Sequence, residues 1–316
     1  MMMQIALVGI GAGAASALMF ASVASGSLLS IFLFYVTPLP IMIAALGWSH
    51  WAAAIAALGA ATTLAAVFGG VFFLAFLVGA GLPAWWLGYL AMLARPPANG
   101  GALEWYPPGR LVLWCAGFAV LVVWIGILTF GTDIETFHAA MRHALERIVQ
   151  FPPGDVAGSA TNKARLFDFM VVILPMAAAV VATTTNVLNL WLAARIVKFS
   201  GRLSRPWPDL PALSFPKVTA AVLAVAVALT FIGGIVGLLA TVAGAALVVA
   251  FGVLGFAVLH SLTRNAKGRS LVLGAAYASV TLFFWPLVAL CLLGLADMAI
   301  GLRARAASSG GPPART

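Results

Sequence analysis

The chain has 316 residues, of which 63% are hydrophobic and 8% charged, with a formal net charge of +9. A soluble domain carries about 25% charged residues to hold its surface in water, so this composition excludes one and makes the lipid bilayer the principal partner. The basic excess lies in short loops between apolar runs, where it sets orientation and meets anionic headgroups, and no nucleic-acid partner is expected.

The first 94 residues contain no Lys, Arg, Asp or Glu. A membrane span needs about 20 apolar residues. Four fit before the first charged loop, near 4–24, 28–47, 51–68 and 70–93. Ser25 to Ser27, Gly47 to His50, and Gly69-Gly70 supply the turns. Trp48, Trp51, Trp85, Trp86 and Tyr89 fall near span ends, as interfacial anchors do. Within the second span, Thr37-Pro38-Leu39-Pro40 frees backbone carbonyls and kinks the helix. The N-terminus lacks a basic n-region, so the first run is expected to be a retained helix. A polar loop from Arg95 to Arg110 precedes a fifth span near 111–130.

Residues 131–167 differ. Thr132 with Glu135 has the spacing of a helix capping box. Ile134, Phe137, Met141, Leu145 and Ile148 then share one face, with Glu135, His138, Arg142 and Glu146 on the other. This predicts an interfacial amphipathic helix over 132–150, stopped by Phe151-Pro152-Pro153-Gly154. A sixth span near 167–194 contains Pro175. The uncharged run 218–262 divides into 218–240 and 243–262, joined near Thr241 to Gly244. The stretch 271–301 is broken at Trp285-Pro286, which leaves one kinked span or a short hairpin. The tail 303–316 reads as disordered. The expected fold is an all-α polytopic integral membrane protein. A single membrane domain over 1–302 holds about 8–10 transmembrane helices and the one amphipathic helix. Placing the basic loops 195–217 and 263–270 in the cytoplasm puts the N-terminus there too.

Few polar residues interrupt the spans. Thr183, Thr185, Asn186 and Asn189 form a stripe along the sixth, which serves interhelical hydrogen bonding, a ligand or lipid headgroup, or a cation path. Gly9, Gly13, Ala17 and Ala21 form a small-residue face, suited to close helix packing or to a partner subunit. Asp297 lies six positions before Arg303, as a structural ion pair would. His138 and His143 with Glu135 and Glu146 lack metal-ligand geometry, because Arg142 intervenes. Cys115 and Cys291 lie in apolar runs and imply no disulfide. No P-loop, H-E-x-x-H or aspartate-rich metal motif is present, so no catalytic residue, metal, cofactor or enzymatic activity is expected.

Three stretches carry a resemblance. They are Pro38-Leu39-Pro40-Ile41 leading to Gly47, Gly81-Leu82-Pro83-Ala84-Trp85-Trp86-Leu87-Gly88, and Leu293-Gly294-Leu295-Ala296-Asp297 followed by Arg303. In these the chain resembles the YybS-like bacterial membrane proteins, a domain-of-unknown-function family. That family is distantly similar to the S components of energy-coupling-factor transporters and to the cell-shape protein MreD. The resemblance implies a multi-pass protein of the bacterial inner membrane. In an S component, Gly9, Gly13, Ala17 and Ala21 would dock on a coupling subunit served by an ATPase, and the Thr183–Asn189 stripe would line the solute pocket. In an MreD-like scaffold, the amphipathic helix and small-residue faces would hold envelope-assembly proteins.

Overall fold

A computed structural model describes residues 2–96, 101–149 and 160–309. The protein is an all-α polytopic membrane protein. Among the described residues, seven helical stretches are long and apolar enough to cross a bilayer. The only strands described, β1 (Ala94–Arg95) and β2 (Glu104–Trp105), form one short antiparallel hairpin.

The chain divides into two compact units, one of residues 1–118 and 184–214, the other of 119–183 and 215–316. In the first unit, α1 (Met2–Ala21) forms the first span. The second span is two pieces, α2 (Leu28–Tyr35) and α3 (Leu39–Gly47), and the third is α4 (His50–Phe68). The fourth comprises α5 (Gly70–Phe76), a π-helical turn (Leu77–Gly81) and α6 (Leu82–Ala91). An alanine face of α4, with Ala53, Ala56, Ala57, Ala60 and Ala61 buried, lets its neighbours approach closely. Ile41, Met42, Phe76, Leu87 and Cys115 fill the space around it. A Cβ added at Gly88 would collide with Ala45, so α6 lies directly on α3.

α7 (Pro108–Phe130) and α9 (Ala160–Phe199) each contribute residues to both units. The second unit also holds α8 (Ile134–Ile148), α10 (Val218–Thr230), α11 (Gly234–Leu262), α12 (Arg269–Phe283), α13 (Pro286–Ile300) and α14 (Leu302–Ser309). α8 is the amphipathic helix, with Phe137 and Leu145 buried. Its N-cap is Asp133 rather than Thr132. The Asp133 carboxylate accepts from the Thr136 amide at 2.8 Å and from its hydroxyl at 2.6 Å. A carboxylate suits the positive end of the helix better than a hydroxyl, and these two donors hold Asp133 below the usual carboxylate range. The expected stop at Phe151 to Gly154 lies outside the described residues.

Two boundaries differ from the sequence reading, and the break expected at Trp285-Pro286 is present. The run 218–262 breaks after Thr230, where Gly233 and Gly234 take φ of +75° and +59°. Such angles suit glycine and disfavour other residues. Thr241 and Gly244 instead lie within α11, and the Thr241 hydroxyl donates to the Gly237 carbonyl at 2.8 Å. The run therefore gives a 13-residue helix and a 29-residue one. The stretch 271–301 becomes α12 and α13, each of 15 residues, parted at Phe284 and Trp285, with Phe284 at φ +56°. Residues 302–309 form α14, which takes in the first seven residues of the tail expected to be disordered from 303. The seam between α11 and α13 is built on Gly252, Gly255 and Gly294. A Cβ at Gly255 would overlap the Leu290 backbone, and one at Gly294 would lie 2.7 Å from the Phe251 carbonyl oxygen.

Gly255→Ala is therefore expected to destabilise the protein by about 1–3 kcal/mol, the usual cost of overpacking. Gly244→Ala, which meets nothing within 4 Å, should leave stability unchanged or raise it. Thermal unfolding of both variants in one detergent measures the contrast.

Candidate functional site

The second span places the polar stripe. Pro38 and Pro40 have no N–H, so the backbone between α2 and α3 tightens. The Thr37 amide donates to the Phe34 carbonyl at 3.2 Å, and the Leu39 amide to the Val36 carbonyl at 3.0 Å. With Leu39 diverted, the Tyr35 carbonyl is open to a side-chain donor. Asn189 Nδ2 donates to it at 2.8 Å and to the Thr185 carbonyl at 2.9 Å. Ser16 Oγ donates to the Thr37 carbonyl at 2.7 Å, across from α1. Asn186 Nδ2 reaches the Cys115 carbonyl of α7 at 3.3 Å. Thr183 Oγ1 turns back to the Ala179 carbonyl at 2.7 Å. Of the four stripe residues, the two asparagines thus bond backbone carbonyls of other spans, Thr185 supplies its own carbonyl, and Thr183 bonds within its helix. Asn189 Oδ1 is buried without a partner among the described residues.

Gly9 and Gly13 lie against α4. A Cβ at Gly9 would come within 2.8 Å of the Ala52 carbonyl oxygen, and one at Gly13 within 2.8 Å of that of Ala56. Ala17 is buried and Ala21 packs against the same core. This register, 9 with 52 and 13 with 56, makes α1 and α4 parallel, as first and third spans should be. The small-residue face is spent inside the unit.

A feature that the sequence reading did not single out appears at one end of this unit. A cavity of about 180 Å³ is lined by residues that include Gly47, Trp48, Ser49, His50, Tyr89, Arg202 and Ser204. The Arg202 guanidinium lies 4.3 Å from the centre of the Trp48 ring, and its Nε donates to the Gly47 carbonyl at 3.3 Å. The His50 ring stands 5.4 Å from that of Tyr89, edge to face. The Trp48 indole N–H is buried without an acceptor among the described residues. Among the described residues, no carboxylate lines the cavity. Arg205 fixes the loop above it, donating to the Ala91 carbonyl at 2.9 Å and to that of Tyr106 at 2.8 Å. Burial lowers the Arg205 pKa, yet a guanidinium retains its charge through such a shift. Arg202 and Gly47 are 155 positions apart, so no local pattern linked them. The available signal was Trp48-Ser49-His50, a polar tripeptide at the end of an uncharged span.

In the second unit, Asp297 and Arg303 form a clamp. Arg303 Nη2 and Nε donate to Asp297 Oδ2 at 2.7 and 2.9 Å, and the Arg303 amide donates to Oδ1 at 2.9 Å. The pair closes the turn between α13 and α14 at Gly301, whose φ is +65°. On α8, Arg142 pairs with Asp168 at 2.7 Å and with Glu146 at 3.3 Å. His143 lies 4.0 Å from Glu146, and His138 lines a separate hollow with Arg142 and Asp168.

Asn189→Leu removes the donor to Tyr35 and should lower stability by roughly 1 kcal/mol, near the upper range for hydrogen bonds between membrane helices. Asp297→Ala leaves the Arg303 guanidinium without its carboxylate and should cost more, about 3 kcal/mol, because the pair is largely buried. Chemical or thermal unfolding of the purified variants ranks the two.

Comparison with known proteins bears on identity but not on activity. No curated protein and no solved structure matches the chain. A family model described as "Predicted membrane protein (DUF2232)" matches residues 14–298. That match spans all seven long apolar stretches in whole or in part and ends within α13. The chain is a member of the DUF2232 family of membrane proteins.

Proposed function

We propose that the protein is a binding component of a membrane transporter, taking a small carboxylate-bearing solute at the Arg202 cavity. The observation that carries this reading is the cavity itself. It is lined by Arg202, His50, Tyr89 and the Trp48 ring, with no carboxylate among the described lining residues. That set suits an anion with an apolar body. Its volume of about 180 Å³ is below the ~300–1,000 Å³ of pockets for drug-sized ligands, so the solute is small. The distant similarity of the YybS-like family to S components suggests the class. On this reading an ATPase and a coupling subunit are partners, the location is a bacterial inner membrane, and the N-terminus is cytoplasmic. The coupling subunit meets a surface other than Gly9, Gly13 and Ala17, which pack on α4. The protein itself is not an enzyme.

The MreD-like scaffold reading has less support. Of its working surfaces, Gly9 and Gly13 pack on α4, and the amphipathic helix α8 buries Phe137 and Leu145 while Ile148 stays exposed.

A panel of small mono- and dicarboxylates should contain at least one member that raises the thermal midpoint of the detergent-solubilised protein. Arg202→Gln should weaken that response about tenfold or more, since hydrogen bonds to a charged group contribute about 1.5–3 kcal/mol. Trp48→Phe should weaken it less. A panel without effect, or a response indifferent to Arg202→Gln, would overturn the proposal.

A further inference from the structure

The C-terminal end of α9 carries two cations in an unusual setting. Arg195 lies 5.4 Å from the centre of the Trp207 ring, and Lys198 lies 4.7 Å from the same centre. Arg195 also approaches Trp191, one turn earlier, at 6.0 Å. Trp207 thus folds back from the following loop to serve two like charges at once. Neither cation has a carboxylate within ion-pair distance among the described residues, and Asp209, the one carboxylate of that loop, pairs with neither. Arg95, Arg142 and Arg303 each close on an acid. Two positive charges gathered about one ring repel each other, and an anion bound beside them offsets that cost.

The surface beside them is apolar and open. Leu188, Trp191, Arg195 and Phe199 follow one face of α9, because 3, 4 and 4 residue steps track a helix surface. Leu188 and Trp191 are exposed, and Phe199 is 97% exposed. Acyl chains can lie along this track and end where the cations begin.

We infer that this end of α9 binds an anionic phospholipid, with its phosphodiester on Arg195 and Lys198 and its chains along Leu188 and Trp191. A zwitterionic lipid is a poorer occupant, because its ammonium group meets the same two cations.

The test uses full-length protein, delipidated in detergent, in the Arg202→Gln background so that the cavity cannot contribute. Added dioleoyl phosphatidylglycerol should raise the thermal midpoint, while dioleoyl phosphatidylcholine and inorganic phosphate should not. R195Q/K198Q should weaken the phosphatidylglycerol response about 30-fold, the effect of losing two basic residues near an anionic surface. R264Q/K267Q, which removes two cations from another loop, should preserve it. If R195Q/K198Q does not fold, W207L takes its place and should reduce the response. Equal action of the two lipids, an equal effect of inorganic phosphate, or an unchanged response in R195Q/K198Q or W207L would overturn the assignment. With Arg202 restored, R195Q/K198Q should keep its response to the carboxylate panel, which separates failure here from failure of the cavity proposal.

Discussion

Hydrocarbon offers no hydrogen bonds, so a helix broken inside a membrane must have its freed carbonyls met by other parts of the protein. The second span sets that demand when Pro38 and Pro40 interrupt it. Asn189 answers at Tyr35 and Ser16 answers at Thr37, so α9 and α1 are both held to the break. Each tie is modest by itself. Their value lies in register, because a helix that slid by one turn would leave a buried carbonyl and a buried amide unpaired together. Asn186 on Cys115 adds α7 to the same arrangement.

The packing around these ties relies on small side chains rather than large ones. Lipid tails are as apolar as leucine, so helices gain little from burying more leucine against each other. Close approach through Gly9, Gly13 and the alanines of α4 supplies many weak dispersion contacts instead. The seam of Gly252, Gly255 and Gly294 repeats this solution in the second unit. At the end of the first unit the logic changes, and wide aromatic rings take over. Trp85 stacks on Tyr89, Trp86 lies tilted against it, and the Trp114 indole N–H donates to the Tyr106 hydroxyl at 3.0 Å. Rings with one polar edge suit a boundary between lipid and water.

The long apolar runs made the fold class legible, because lack of charge over 94 residues admits one environment only. The turn at 231–234 was missed for a physical reason. Both Gly233-Gly234 and Thr241 to Gly244 carry turn chemistry, and a threonine hydroxyl can bond its own helix as readily as it can end one. The stripe of Thr183, Thr185, Asn186 and Asn189 was legible as a polar face. Its counterparts were backbone carbonyls, which no sequence pattern displays. The cavity was hidden for a related reason. Arg202 had the look of a loop charge, and only folding brings it to Trp48. Asp297 with Arg303 was the easier case, since both partners were local and charged.

The helices of the second unit are strongly unequal in length. At about 1.5 Å per residue, α11 extends for roughly 43 Å, while α10 covers about 20 Å and α12 and α13 about 23 Å each. A bilayer core is ~30 Å thick, so no single thickness matches them all. Lipids beside the short helices must compress or those helices must ride towards one leaflet, and α11 must tilt. Helices this unequal ask for different lipid thicknesses along different sides of the unit, so acyl-chain length is a variable to which this unit is exposed.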